Sequence, residues 1–350
     1  MATIRQIAES LNISPSTVSK ALNNATDISD SLRQAVLEKA AELGYATKSS
    51  HRKSNRKLAI LIKNMAYTTP KDFGYNIIVG FRKQAMAYDW NVEIFEITRE
   101  IQEKEKYDIF LLRRGLSGGF CLGFTLRDPW MKQFEETQAA TVLLDNFIRS
   151  NPRVACIGTD SYEGIDEAVA HLASLGHRKI SYFGGEEHSR ISQERLDAFE
   201  RSMADRGLKV RHDLILADDY LTPSIAGALI PAFEAQATAF VCANDIIAAG
   251  IIEECKRFGI RVPEDISVIG FDDIPLAEIT DPPLTTVQQN LKYIGMFAVS
   301  VLAELNGNMH LSTLTVRPKL IVRKSTAPAN EEGYSFSCPD AAAENEAAAY

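Results

Sequence analysis

The chain has 350 residues, 45% of them hydrophobic, and a formal net charge of −8. That length supports two or three domains with sizeable cores, and no apolar run is long enough to span a bilayer. The N-terminus shows no signal-peptide stretch, so a cytoplasmic protein is expected. The five cysteines, at 121, 156, 242, 255 and 338, show no close pairing. Reduced thiols are therefore expected, not disulfides or a metal site.

The charge is unevenly spread. Residues 1–57 hold nine Lys/Arg against five Asp/Glu, a surplus of +4, so the remainder carries −12. No acidic residue occurs from Leu43 to Lys71. A basic head on an acidic body points to a polyanion met by the head alone, although a solvated basic linker accounts for the charge equally well.

Thr3-Ile4-Arg5-Gln6 reads as a capping box, and Ile4, Ile7, Ala8 and Leu11 follow at helical spacing. After a turn at Asn12-Ile13, Ser14 can cap a second helix with Pro15 in its first turn, where no N–H is needed. Val18, Ala21 and Leu22 form its buried stripe and leave Ser16, Thr17, Ser19, Lys20 and Asn23 outward. Ser29 starts a third helix with Leu32, Val36, Ala40 and Leu43 apolar, ended by Gly44 as a left-handed cap. Two short helices on a tight turn, then a third, predict a helix-turn-helix DNA reader. Its hydroxyls, with Thr3, Pro15 and Asn23 beside them, would meet the phosphates, and Lys20 would reach a guanine edge. A generic three-helix bundle is the plainer alternative.

"ATIRQIAESLNISPSTVSKALNN" and the later "LGY" resemble the N-terminal domain of the lac-repressor (LacI/GalR) family, whose pattern runs T-x-x-x-I-A, then V-S-x-x-T-V-S-x-x-L-N. Ile13 stands for the first valine. Lys20 stands where the family usually has arginine, so the bidentate fork is missing. The linker "ATKSSHRKSNRK", residues 46–57, departs further. The family's Pro-Asn-x-x-Ala-x-x-Leu hinge helix is absent, and Arg52, Lys53 and Arg56 are expected to contact DNA phosphates or a narrow minor groove in its place.

From residue 58 apolar runs alternate with amphipathic helices. Predicted strands lie at 58–62, 92–95, 119–122, 141–144, 179–183, 214–217, 239–242 and 267–270, and predicted helices include 76–88, 162–175, 194–206 and 246–258. Alternating β and α implies parallel sheets with helices on both faces, here two lobes with a cleft between them. No Rossmann or P-loop glycine pattern, nucleophile elbow or metal-ligand spacing occurs. The reading is binding without catalysis, cofactor or metal.

"LASLGHRKISYFGG", "FVCANDIIAAG", "VPEDISVIGFDD" and "DPPLTTVQQN" resemble the family's effector-binding core, which is similar to periplasmic sugar-binding proteins. Ligands in such sheets sit beyond the carboxyl ends of strands. Asp160, Asn244 and Asp272 follow predicted strands, and Arg195 opens a predicted helix. The resemblance puts these four at effector-contacting positions, with Phe73 as the aromatic of the loop after the first strand. As helix caps and turn residues, Asp160, Asn244 and Asp272 have ordinary structural readings too. Asp245 is expected to cap the helix that follows it.

The expected architecture is an N-terminal all-α helix-turn-helix domain (1–45), the basic linker (46–57) and an α/β two-lobed periplasmic-binding-protein-like core (58–330) of two doubly wound parallel sheets. The N-lobe is expected at about 58–157 plus 285–309, and the C-lobe at about 158–284 plus 310–330. Residues 331–350 hold five acids and no Leu, Ile or Val, which reads as a disordered tail. The resemblance implies a homodimeric transcriptional regulator, a repressor, on a near-palindromic double-stranded operator. Its affinity would be set by a small polar effector, a sugar (carbohydrate) or a purine or nucleoside. A cytoplasmic receptor or enzyme on the same fold is the alternative of another class.

Overall fold

Thr3 closes its capping box with Gln6, accepting from Gln6 N at 3.3 Å while its own N–H donates to Gln6 Oε1 at 2.8 Å. This starts α1 (Ile4–Leu11), and Asn12 in the left-handed region turns the chain. Ser14 accepts from Thr17 N at 3.1 Å, with Pro15 as the first residue of α2 (Pro15–Leu22). Ser29 caps α3 (Asp30–Glu42), and Gly44 follows it at φ +64°. Ile7, Ala8, Val18, Ala21, Val36 and Ala40 form the head's core. Leu37 is buried, whereas Leu43, expected in the stripe, is exposed because it lies at the helix end. The computed structural model describes residues 3–23, 25–45, 56–185, 189–217 and 225–337.

The body continues with β1 (Lys57–Ile62), α4 (Phe73–Ala87), β2 (Asn91–Glu96), α5 (Arg99–Lys104), α6 (Tyr107–Arg114), β3 (Gly118–Leu122), α7 (Pro129–Gln133), β4 (Ala140–Leu144) and β5 (Val154–Thr159). Next come α8 (Ser161–Ser174), β6 (Ile180–Gly184), α9 (Arg190–Asp205), β7 (Ile215–Ala217), α10 (Ala226–Glu234), β8 (Ala239–Cys242), α11 (Asp245–Arg257), β9 (Ser267–Asp272), α12 (Leu276–Ile279) and β10 (Thr285–Gln288). The last elements are α13 (Leu291–Asn306), β11 (Thr313–Val316) and β12 (Lys319–Ile321).

Two compact units result: Met1–Gly158 with Leu291–Val316, and Thr159–Asn290 with Arg317–Tyr350. The crossings lie later than expected. β10 pairs with β9 and belongs to the second unit, while β11 joins the first sheet. Strand order is β11-β5-β4-β3-β1-β2 in the first unit and β12-β10-β9-β8-β6-β7 in the second. The neighbouring pairs from β5 to β2 and from β10 to β7 are parallel, and β12 runs antiparallel to β10. Each sheet is doubly wound, with its order reversing at β1/β3 or β6/β8. The central strands β3, β4, β6 and β8 are buried throughout, which is why they read as unbroken apolar runs.

In the first unit α4 and α13 touch backbone to backbone. A Cβ on Gly80 would lie 1.9 Å from Lys292 O, and one on Gly295 would lie 1.9 Å from Ile77 O. The head packs within this unit: Leu112 of α6 rests against the head's core, and Arg113 Nη2 donates to Gln34 Oε1 of α3 at 3.0 Å.

The expectation of a disordered tail from residue 331 is corrected for residues 331–337. Tyr334 and Gln236 exchange two hydrogen bonds of 3.1 Å, and Tyr334 Oη donates to Ala237 O at 2.9 Å. The Phe336 ring lies 5.6 Å from that of Phe233 and 6.2 Å from that of Phe258. Two aromatics supply the apolar area that the missing aliphatics do not. Residues 338–350 lie outside the described residues. Cys121, Cys242 and Cys255 are buried free thiols, Cys156 is half-buried, and burial pushes the first three up from the usual thiol pKa.

Candidate functional site

The candidate DNA-reading face of the head is built by caps. Ser14 Oγ lies 2.7 Å from Ser16 Oγ and 2.8 Å from Thr17 Oγ1, so three hydroxyls cluster at the start of α2. Asn23 Nδ2 donates to Ser19 O at 2.8 Å at the other end. Lys20 is exposed and ion-paired with Asp27, whose carboxyl it holds below the usual range. All of these side chains are exposed or half-exposed. The head thus presents short hydroxyls and one cation on a single exposed helix, as a major-groove reader requires.

Arg52 and Lys53 lie outside the described residues. Arg56, expected to face DNA with them, is drawn into the body instead. Its guanidinium sits 5.2 Å over the Trp90 ring, and its carbonyl accepts from Asn91 N at 2.8 Å. The attraction between cation and indole, with burial of the arginine stem, explains the placement.

In the second unit Arg195 and Asp272 meet. Arg195 Nη1 lies 3.6 Å from Asp272 Oδ1 and donates to Ala243 O, and the guanidinium stacks 3.8 Å from the Phe271 ring centroid. The side chains of this pair keep only 7% and 14% of their exposure. Gln289 Nε2 donates to Asp272 Oδ1 at 2.6 Å, and its Oε1 accepts from Thr159 Oγ1. Burial pushes the Asp272 carboxyl up to about 6 against the opposing pull of Arg195 and Gln289. Among the described residues, the buried Arg195 Nε, Tyr182 Oη and Ser161 Oγ have no hydrogen-bond partner. Orphaned buried polar atoms carry a desolvation cost, which a bound ligand or water can relieve.

Arg195 does not open its helix as expected. α9 begins at Arg190, and its N-cap, Ser189, makes no side-chain cap bond, so the start left no capping signal. Asp160 caps α8 by accepting from Glu163 N at 2.9 Å, and Asn244 caps α11 by accepting from Ile247 N at 2.8 Å. Asp160 keeps one oxygen and Asn244 its amide nitrogen beyond these cap bonds, and each residue is next in sequence to a member of the network, Thr159 or Ala243. Phe73 belongs to the first unit, where it opens α4 and packs against that core. Asp245, expected to cap α11, does not; Asn244 holds that place. Gln289 and Tyr182 were not singled out by sequence reasoning. The only signal for Gln289 was an amide just after a strand.

A helix-turn-helix head on two doubly wound units, the second carrying a buried guanidinium–carboxylate site, defines a ligand-responsive DNA-binding regulator. The chain is similar at its head to the lacI family of bacterial regulatory proteins and in its body to a periplasmic binding protein-like domain. That family's description matches residues 3–48, and a periplasmic binding protein-like domain matches residues 169–326. The chain is 26% identical over 329 residues to the HTH-type transcriptional repressor PurR of Aliivibrio salmonicida, covering 93% of this chain and 99% of that one. It is 28% identical over 332 residues to the HTH-type transcriptional repressor CytR of Escherichia coli K12, covering 93% and 96%. A solved transcriptional regulator CelR–cellobiose complex shares the fold with a TM-score of 0.67 at 22% identity, covering 93% of this chain and all of that one.

Proposed function

We propose that the chain is a cytoplasmic repressor whose hold on a near-palindromic operator is set by a small polar effector bound at Arg195 and Asp272. The observation that carries this is the buried ion pair beside the unpartnered Arg195 Nε and Tyr182 Oη. The guanidinium donates to an acceptor on the ligand, while Asp272, with Asp160 and Asn244 flanking, accepts from its hydroxyls. A sugar or sugar derivative fits that set, and the cellobiose complex of a structural neighbour supports it. A purine or nucleoside is the second reading, favoured by the relatives PurR and CytR. The site binds and does no chemistry.

Two copies would set two α2 helices in successive major grooves. The half-exposed Tyr293 and Phe297 rings of α13, 6.1 Å apart, offer an apolar surface for the second copy. The linker cations Lys48, Arg52 and Lys53 would bind phosphates without a wedging leucine.

Gel shifts on the DNA upstream of the chain's own gene test the regulator, and a thermal-shift panel of sugars and nucleosides identifies the effector. Lys20→Ala is expected to weaken specific binding by about 1–3 kcal/mol and random-sequence binding by less. Equal losses on both DNAs would reduce Lys20 to a phosphate contact.

A further inference from the structure

Asp245 is a fully buried carboxylate that neither the helix cap nor the effector contacts use. Its Oδ2 accepts from Ile274 N at 2.9 Å, and its Oδ1 accepts from Thr286 Oγ1. It therefore spends both oxygens on the chain around β9 and β10 rather than on its own helix. Strand β9 makes room for it: a Cβ on Gly270 would lie 2.3 Å from Asp245 Oδ1. Between that glycine and Ile274 stand Asp272 at φ +116° and Asp273 at φ +55°. Two successive non-glycine residues at positive φ are strained and persist only where the surroundings hold them. Asp273 is held by its side chain, paired with Arg323 Nη2 and Gln288 Nε2 at 2.7 Å each. Asp245 reaches the backbone itself.

We propose that Asp245 is a positioning residue for the effector site: it pins the strained Asp272–Asp273–Ile274 turn from behind and so aims the Asp272 carboxylate at Arg195. The proposal rests on the reading of Arg195 and Asp272 as effector contacts. It explains why a second carboxyl is tolerated beside Asp272, although burial first, and the Asp272 charge next, push Asp245 well above the usual carboxylate range. A hydroxyl or an apolar side chain could fill the space, but neither offers two oxygens, one for Ile274 N and one for Thr286 Oγ1.

The test compares Asp245→Asn, which keeps an acceptor for Ile274 N–H, with Asp245→Ala, which does not. In the full chain, NMR reads hydrogen exchange at the Ile274 amide and the titration of the Asp272 carboxyl carbon. Asp245→Asn should keep Ile274 protected and the Asp272 titration near about 6. Asp245→Ala should lower Ile274 protection at least tenfold and move the Asp272 titration down, as the turn relaxes into water. Calorimetry with cellobiose and with guanosine adds a binding readout. Whichever probe binds the wild type should lose at least tenfold with Asp245→Ala and less than threefold with Asp245→Asn. If neither probe binds the wild type, cellobiose and guanosine are excluded as effectors, while the two NMR readouts still decide the positioning role. An Asp245→Ala protein that melts earlier but leaves both NMR readouts unchanged would overturn the proposal, as would Asp245→Asn behaving like Asp245→Ala. Should Asp245→Ala fail to fold, Thr286→Val decides. It frees one carboxylate oxygen and should cut Ile274 protection about fivefold, and unchanged protection overturns the idea.

Discussion

The two sheets share a strand order and treat buried charge differently at their carboxyl ends. In the first unit Lys63, just past β1, lies 3.3 Å from Asp128. Asp128 also accepts from Gln102 Nε2 at 3.0 Å and Thr125 N at 2.8 Å. That network closes on itself and ties α5 and α7 to the sheet. In the second unit Arg195 and Asp272 stand farther apart, Asp272 sits on a strained turn, and Arg195 Nε has no partner among the described residues. The same architecture thus uses buried polar groups once as a fastening and once as the proposed site. The difference lies within the two networks: the Asp128 cluster has no member among the buried unpaired atoms, whereas the Asp272 cluster has Arg195 Nε.

The comparison can be broken most forcefully in the first unit. Gly295→Val would drive a side chain into the Ile77 carbonyl, which cannot move without parting α4 from α13. The expected cost is about 3 kcal/mol or more. In urea the first unit should unfold ahead of the second, seen as two transitions where the wild type is compared under the same conditions. A single unshifted transition would refute the helix contact.

A smaller effect is expected in the second unit at a place remote from its charges. Ending the chain after Asn330 removes Tyr334 and Phe336 and uncovers Phe233 and Phe258. Uncovering about one aromatic's worth of area should cost about 2–3 kcal/mol. Effector binding, measured by calorimetry with the panel's best compound, should hold. If binding and stability fall together, the strap and the site are coupled.

The smallest effect sharpens the contrast itself. Because the folded Asp272 carboxyl titrates near about 6, above its unfolded value of about 3.9, the folded state keeps that proton longer. Its contribution is therefore unfavourable above pH 6 and vanishes as pH falls through 4. Asp272→Asn should be more stable than wild type at pH 7, by about 1–2 kcal/mol, and equal to it near pH 4. Melting temperatures across that range give the difference, while the same variant should bind effector less well. A difference that does not change with pH would mean that the carboxyl is not strained by burial.

The legibility of these features follows the reach of the forces involved. Thr3, Ser14, Ser29 and Gly44 were readable because a cap is settled within four residues. The body's strands were readable because a buried parallel strand is apolar at every position. Arg195 was assigned to the site, yet its helix, expected from 194, starts at Arg190. Gln289 and Asp245 were beyond local reading, since their partners lie 17 to 130 residues away in the chain. Arg56 carried the right charge for DNA, but Trp90, distant in sequence, lies beneath it. For the strap, weighing aliphatic content alone overlooked Tyr334 and Phe336.

The threading of the chain also sets a timetable for synthesis. The first unit cannot be finished when residue 158 emerges, because α13 and β11 lie at 291–306 and 313–316. At about 5–20 residues per second the ribosome takes roughly ten to thirty seconds to supply them. Throughout that interval the α4 surface around Gly80 stands open and apolar, while the head, complete by residue 45, is already folded. The newborn chain therefore passes through a stage in which its DNA-reading face is finished and its body is not. A nascent-chain chaperone that recognises apolar helix faces has its opportunity in that interval.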